Sequence, residues 1–433
     1  MYKIGLYTLG CKVSLYETEA ISEAFREEGF EICSFDEVCD AYVINTCTVT
    51  AESDAKSRKY IRRAIRKNPR AVVAVVGCYS QRAPMEVAAI EGVSAIIGTD
   101  GKLGVVEAVK SALADKKSGS RVLVTPLEGA KFEPMCIKSA PRTRAYVKIE
   151  DGCECKCTYC AISGARGPVR SKKPQDVISE VEGLYRGGCR EIVLTGIETG
   201  SYGADFEEKY DLADLISELD RRESCDRIRL GSMAPELLSE SFVSRVGNLK
   251  ILVPHFHVSM QSGSDKVLRA MKRRYNRRMA LDNIARIRSY MPDVMFTADL
   301  MVGFPGEEEC DFLDTVNFVK EAQLLDAHVF AYSKREGTPA AYYPDQVSEE
   351  VKHARSVALI AEKNAVRDGV LSRVVSSGRA LSCIAEVCDN GVYTAHSDSY
   401  IEVRFEGESG LTGEIFDIIP LSHKDGIVYG KIQ

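Results

Sequence analysis

Apolar positions fall into short runs, and helical stretches separate them over most of the chain. Lys3-Ile4-Gly5-Leu6-Tyr7-Thr8, Ala41-Tyr42-Val43-Ile44-Asn45 and Ala71–Val76 read as strands, and they run into Gly10-Cys11, Cys47 and Gly77-Cys78. Tyr16–Glu28, closed by Gly29, and Lys56–Lys67 have helical spacing. Alternating strands and helices predict a parallel sheet covered by helices. From about residue 145 the alternation resumes, with strand patterns at Ala145–Ile149, Glu191–Thr195, Arg227–Leu230, His255–Met260, Val294–Val302 and Ala327–Tyr332. Six such units suit a partial (β/α)6 barrel, whose functional groups gather at the carboxyl ends of its strands. Ser348–Gly369 reads as an amphipathic helix. After it, the alternating runs Ala380–Val387, Val392–Ala395, Tyr400–Phe405, Gly413–Ile419 and Ile427–Ile432 predict five strands of a small β-barrel.

The fold class is therefore α/β. The expected organisation is an N-terminal parallel domain at 1–114, a connector at 115–143, a central barrel at 144–368 and a C-terminal β-barrel at 369–433. The connector holds an exposed turn, Lys116-Lys117-Ser118-Gly119-Ser120, and Pro126, Pro134 and Pro141, which interrupt regular structure. Cys136 lies there without a neighbour at ligand spacing and reads as structural.

Composition narrows the chemistry. No leader pattern and no membrane-length apolar run appear, so a soluble, cytoplasmic chain without a membrane partner is expected. Fifteen cysteines in such a chain point to metal or redox chemistry rather than disulfides. The net charge of −6 argues against indiscriminate nucleic-acid binding, yet it leaves room for a local basic patch. Residues 56–70 contain no acid, and Lys59, Arg62, Arg63, Arg66 and Arg70 recur at helical spacing. A solvated helix face is the ordinary reading of such a run; a stripe of one sign is also what a phosphate backbone requires. Residues 372–433 carry five Lys or Arg against nine Asp or Glu, so that section is not a broadly basic clamp.

Cysteine placement carries the strongest signal. Cys11, Cys47 and Cys78 each lie just past the carboxyl end of a strand, and in a parallel sheet those ends share one edge. Three residues distant in sequence are thus expected to converge. A buried structural cysteine is the alternative for each singly. The second set is Gly152-Cys153-Glu154-Cys155-Lys156-Cys157-Thr158-Tyr159-Cys160, a C-x3-C-x2-C loop with Cys155 inside its first gap. Cys153, Cys157 and Cys160 offer three thiolates, where an iron–sulfur cluster ordinarily takes four. Zinc is the rival, but only Cys157-x2-Cys160 has knuckle spacing and no second pair follows. Cys155 reads either as a spectator or as a competing ligand.

Three turns follow barrel strands: Thr195-Gly196, Ser259-Met260-Gln261-Ser262-Gly263 and Val302-Gly303-Phe304-Pro305-Gly306. Each is alone consistent with a tight βα turn; at Gly303 the missing side chain would let backbone approach a ligand. Arg166 and Arg170 follow the cysteine loop and read either as anion contacts or as a loop-to-helix salt bridge. Lys272-Arg273-Arg274 with Arg277 and Arg278 reads as a solvated helix end. His255 and His257 alternate on a strand and read as packing or hydrogen-bonding residues rather than ligands.

The loop with its aromatic residue before the last cysteine resembles radical S-adenosylmethionine enzymes. Thr8-Leu9-Gly10-Cys11-Lys12, Val43-Ile44-Asn45-Thr46-Cys47-Thr48 and Val76-Gly77-Cys78-Tyr79-Ser80-Gln81 extend the resemblance to the methylthiotransferases, over essentially the whole chain. Ser14 stands where that family usually has Asn, and Ser163 where it usually has Pro. The resemblance implies two 4Fe-4S clusters, one on Cys11, Cys47 and Cys78 and one on Cys153, Cys157 and Cys160, with S-adenosylmethionine at the second. It assigns Tyr159, Thr195, Gly196, Ser259, Gln261 and Gly303 to the S-adenosylmethionine pocket, and the last 65 residues to a TRAM-like domain. Lys12, where the ribosomal-protein branch has Pro and the isopentenyladenosine branch Gln, points within the family to N6-threonylcarbamoyladenosine beside the anticodon of tRNA. The implied activity is addition of a methylthio group at C2 of that base, with Lys59, Arg62, Arg63 and Arg66 as RNA contacts. An electron donor and a sulfur source are further partners that the chemistry requires and no motif identifies. The alternatives are the same chemistry on a ribosomal-protein aspartate or on isopentenyladenosine, and a non-catalytic iron–sulfur RNA-binding or redox-sensing protein.

Overall fold

The computed structural model describes residues 1–115, 120–140 and 143–433; residues 116–119 of the turn expected at 116–120, and Pro141, lie outside the described residues. Strands β1 (Lys3–Thr8), β2 (Glu31–Cys33), β3 (Ala41–Thr46), β4 (Val72–Gly77), β5 (Ala95–Ile97) and β6 (Arg121–Leu123) form one parallel sheet in the order β2-β1-β3-β4-β5-β6. Every residue of β3 and β4 is buried, which is why both read as unbroken apolar runs. Helix α1 (Lys12–Glu27) packs Ile21 and Phe25 on one face, and α2 (Ala51–Lys67) packs Ile61 and Ala64 on the other. Each such fully buried aliphatic contributes about 1.5–3 kcal/mol relative to exposure. β6 falls inside the segment expected to be a connector, so the sheet takes its last strand from there.

The central section is a parallel wall. Its strands are β7 (Arg144–Lys148), then, beyond a small hairpin of β8 (Glu150–Asp151) and β9 (Arg170–Ser171), β10 (Glu191–Thr195), β11 (Arg227–Leu230), β12 (Ser232–Met233), β13 (His255–Gln261), β14 (Met295–Val302) and β15 (Asp326–Ala331). The hydrogen-bonded groups are β11-β10-β7 and β12-β13-β14-β15. β11 and β12 are successive halves of one strand broken at Gly231, whose N–H donates to the Leu194 carbonyl at 2.8 Å. The wall has six strand positions and stays open between β7 and β15, as a partial barrel does.

The two ends of the chain close this wall. Helix α1 sends Tyr16 and Ala20 into the core that β7 lines with Ala145 and Val147. The long helix Glu349–Ser377 packs Val370 and Leu371 with Leu325 before β15. It leads to β16 (Leu381–Asp389), β17 (Val392–Ser397), β18 (Glu402–Glu406), β19 (Ile415–Lys424) and β20 (Ile427–Ile432), a closed barrel in the order β16-β17-β18-β20-β19. That barrel sits on the amino ends of the wall strands. Arg144 pairs with Glu386 at 2.5 Å, Arg227 donates to Ser382 Oγ at 2.7 Å and Arg229 donates to the Ser397 carbonyl at 3.3 Å. Among the described residues no helix is long and apolar enough to cross a membrane.

Candidate active site

Parallel register delivers the first cysteine set. Thr8 pairs with Asn45 and Thr46 with Gly77, so the residues following β1, β3 and β4 emerge side by side. Cys11 caps α1 and is exposed, whereas Cys47 and Cys78 are buried. Gly77 has φ +102°, and a Cβ there would lie 2.5 Å from Asn45 Oδ1. Only glycine makes this turn without displacing Asn45. Burial raises the Cys47 thiol to about 11, and Cys78 and Cys11 push the same way. Burial also raises Cys78, against the pull of Arg166.

The second set follows β8. Each of its sulfurs already accepts a hydrogen bond. Cys155 N–H lies 3.5 Å from Cys153 Sγ, Arg273 Nη1 3.1 Å from Cys157 Sγ, and Ile162 N–H 3.3 Å from Cys160 Sγ. Donors aimed at sulfur favour thiolate over thiol and tune an iron–sulfur centre. Cys155 shares a side-chain hydrogen bond with Cys153, which lowers Cys155 to about 6 and raises Cys153. Tyr159 stands edge-on to Phe304, ring centroids 6.5 Å apart.

A buried ion network joins the two sets. Glu17 of α1 pairs with Lys102, with Lys148 at 3.0 Å and with Arg166 at 2.5 Å. Asp151 pairs with Lys148 at 2.9 Å and Arg166 at 3.1 Å. Arg166 also donates Nε to Cys78 Sγ at 3.1 Å. Four cations, Lys102, Lys148, Arg166 and Arg170, face two carboxylates here, so positive charge is left over beside Cys78. That surplus suits a thiolate. Arg166 is thus the salt-bridge partner among its two expected roles, and it is fully buried. Arg170 lies 3.5 Å from Asp151 in the same network.

The turns after the barrel strands surround the second loop. Thr195 and Gly196 end β10; a Cβ on Gly196 would collide with Glu150. Glu150 is buried, accepts the Glu198 N–H at 2.9 Å through Oε2 and leaves Oε1 without a partner. Burial raises Glu150 well above its ordinary value and Glu198 to about 8. Ser259 donates to Ser232 Oγ at 3.1 Å, and Gln261 closes β13 at φ +65° beyond a bulge. At Gly303 (φ +73°) the space a Cβ would take is filled by Lys352 of the long helix. The expected opening for a ligand is therefore absent on that side of Gly303.

A cleft of about 690 Å³ runs between the three sections and is lined by Cys11 and Lys12, by Thr195 and Gly196, by His255 and His257, and by Tyr400 of the C-terminal barrel. His255 Nε2 and His257 Nδ1 both meet Thr297 Oγ1, at 3.0 and 2.8 Å, the hydrogen-bonding role expected for them. Burial and Arg229 lower the Lys12 ammonium, and Asp299 opposes them.

On α2, Lys59, Arg62 and Arg66 are exposed, but Arg63 pairs with Asp36 and lies over the Tyr60 ring. Of the second basic cluster, Arg277 and Arg278 form surface pairs with Asp314 and Asp282, while Arg273 reaches Cys157. Glu17, Glu150, Glu198 and Arg273 were not singled out as site residues by sequence. Their signal is spatial, since Arg273 lies 116 residues from Cys157 and Glu17 149 from Arg166.

Comparison with known proteins fits this arrangement. The Radical SAM superfamily profile matches residues 147–319, and one described as Uncharacterized protein family UPF0004 matches residues 3–98. The threonylcarbamoyladenosine tRNA methylthiotransferase MtaB of Bacillus subtilis (strain 168) is 39% identical, over 100% of this chain and 96% of its own length. The protein so named in Aquifex aeolicus (strain VF5) is 32% identical over 94% and 97%. The chain belongs to the radical S-adenosylmethionine methylthiotransferases. A methylthiotransferase of another name, the tRNA-2-methylthio-N(6)-dimethylallyladenosine synthase of Thermoanaerobacter pseudethanolicus (strain ATCC 33223 / 39E), is 30% identical over 98% and 91%. The structure of the radical S-adenosylmethionine methyltransferase TsrM from Kitasatospora setae shares the fold at TM-score 0.59 and 16% identity, over 79% of this chain and 77% of that one. The methylthiotransferase is a transferase whose cofactors are S-adenosylmethionine and two 4Fe-4S clusters. The donor sets fit them: two groups of three thiols, each with a guanidinium on one sulfur, and the orphaned Glu150 Oε1 for an ammonium.

Proposed function

We propose that this protein adds a methylthio group to C2 of N6-threonylcarbamoyladenosine at position 37 of tRNA, in the anticodon loop, giving 2-methylthio-N6-threonylcarbamoyladenosine. The observation that carries the reading is that Cys11 of the first set and the Thr195–Gly196 turn, which packs on Glu150 just ahead of the second set's loop, line one cleft. Identity of 39% across the whole chain to a protein named for this substrate favours it over dimethylallyladenosine. The cytoplasm is the compartment that a tRNA substrate implies.

Replacing hydrogen on an unactivated aromatic carbon lies beyond acid–base side chains, and the bound clusters and S-adenosylmethionine supply the radical and sulfur chemistry. The chain's own work is holding, orienting and shielding. Cys11, Cys47 and Cys78 would hold one cluster, and Cys153, Cys157 and Cys160 the other. Arg166 and Arg273 balance the negative charge of the two thiolate sets. Glu150 would take the amino group of S-adenosylmethionine, with Thr195, Gly196, Ser259 and Gln261 around the rest of it and Gly303 meeting it on the side away from Lys352. Tyr159 and Phe304 keep water from the loop. A loop base reaches the cleft without a duplex being opened. Lys59, Arg62 and Arg66 would meet the RNA backbone, with Arg63 held back by Asp36.

The test is a side-by-side assay of the anaerobically reconstituted protein on tRNA carrying threonylcarbamoyladenosine or dimethylallyladenosine, and on the ribosomal-protein aspartate. The reading expects a methylthio product from the first alone. A product only from either of the others overturns it.

A further inference from the structure

Lys12 is adjacent to Cys11 and lines the cleft. Among the described residues its ammonium makes no close ion pair and donates no hydrogen bond; Asp299 and Cys11 attract it only from farther away. The other Lys and Arg side chains lining the cleft are Lys363 and Arg367, and both face Asp326. A second unmet group lies in the wall of the same cleft. His255 is 3% exposed, held through Nε2 by Thr297 and stacked on the Tyr400 ring at 4.7 Å, and its buried Nδ1 has no partner. Buried polar atoms without partners are rare, and one in the wall of a cleft that also holds a cation without a close partner marks a place for a polar anion.

We infer that Lys12 reads the carboxylate of the threonylcarbamoyl group, with His255 Nδ1 as a second hydrogen-bonding atom for the same side chain. The inference rests on the substrate reading above and deepens it. In a purine, C2 and the N6 substituent flank N1 on one edge. A base that presents C2 to the Cys11 end of the cleft therefore presents its N6 substituent there too. The threonyl carboxylate is the one anion of that substituent, and a dimethylallyl group carries none. An ammonium without a close partner in the free protein gains one with the charged substrate. A pocket built around such a group rejects an analogue that lacks the charge, because the lysine then stays desolvated and unpaired.

The experiment uses the reconstituted protein with tRNAs ligated from synthetic anticodon stem-loops. The base at the target position is threonylcarbamoyladenosine, its primary carboxamide, or dimethylallyladenosine. Equilibrium binding by fluorescence anisotropy is read beside methylthio product. Wild-type protein is expected to bind the acid at least about tenfold more tightly than the carboxamide, the scale of one charge-assisted hydrogen bond. Lys12→Gln should bind the two alike, and Lys12→Arg should restore the preference. If Lys12→Gln keeps the wild-type preference, or weakens acid and carboxamide by the same factor as a phosphate contact would, the inference is wrong while the substrate reading stands. If wild-type protein methylthiolates the dimethylallyl tRNA and not the acid, the substrate reading fails and takes the inference with it.

Discussion

Arg166, which follows the Cys153–Cys160 loop, donates its Nε to the sulfur of Cys78, 3.1 Å away and on the other cysteine set. The same guanidinium holds Glu17 at 2.5 Å and Asp151 at 3.1 Å. One side chain therefore fixes the spacing between the two sets, because every face of its fork is occupied. Removing it would strip Glu17 and Asp151 of their guanidinium contacts and Cys78 of its donor, all of them buried, and leave Lys102, Lys148 and Arg170 to hold the two carboxylates. Arg166→Met is expected to cost about 3–5 kcal/mol of stability, the scale for breaking a buried pair. Arg166→Lys should recover only part, since a lysine cannot meet three partners in one plane. Denaturant midpoints of the cluster-free protein would show this; an unchanged midpoint in Arg166→Met would contradict it.

Acid should weaken the seat of the C-terminal barrel. Burial alone would raise Glu191, but Arg229 and Arg144 outweigh it and hold the carboxyl at about 2. A carboxylate with a depressed pKa stabilises the fold above its unfolded value, near 4.5, and loses that contribution as pH falls toward 2. The amount is on the order of 3 kcal/mol, because the side chain is fully buried and unscreened. Glu191→Gln should lower stability at neutral pH and flatten the fall between pH 4.5 and 2. Unfolding curves across that range measure both, and a variant as acid-sensitive as wild type would count against the assignment.

Salt should report the RNA face. Lys59, Arg62 and Arg66 are exposed along α2. Replacing all three by Gln is expected to weaken tRNA binding and to reduce the slope of log K against log salt by about 2. Arg63→Gln should change the slope little, because Asp36 already occupies it. Equal slopes for wild type and the triple variant would move the RNA contact elsewhere.

The chain order of elements was legible where burial is two-sided or alternation is strict. β3, β4 and the C-terminal strands show this, and so does the meeting of Cys11, Cys47 and Cys78, which needs only parallel strands. β2, β5 and β6 were not, since three residues carry no period. Side-chain roles were less legible still. Whether Arg166 met an anion or a salt bridge depended on Glu17, and what Gly303 accommodates depended on Lys352. Arg273 looked like part of a solvated helix end because its partner is a sulfur in a distant loop.

Two cysteine sets with separate duties are expected to serve one reaction. The direct measurement compares reconstituted wild type with Cys47→Ala on tRNA carrying threonylcarbamoyladenosine, with nucleosides and 5′-deoxyadenosine quantified by mass spectrometry in the same sample. Wild type should yield the methylthio nucleoside together with 5′-deoxyadenosine. Cys47→Ala should still form 5′-deoxyadenosine but no methylthio nucleoside, whereas Cys157→Ala forms neither. A Cys47→Ala protein that makes the methylthio nucleoside, or that loses 5′-deoxyadenosine altogether, would contradict separate roles for the two sets.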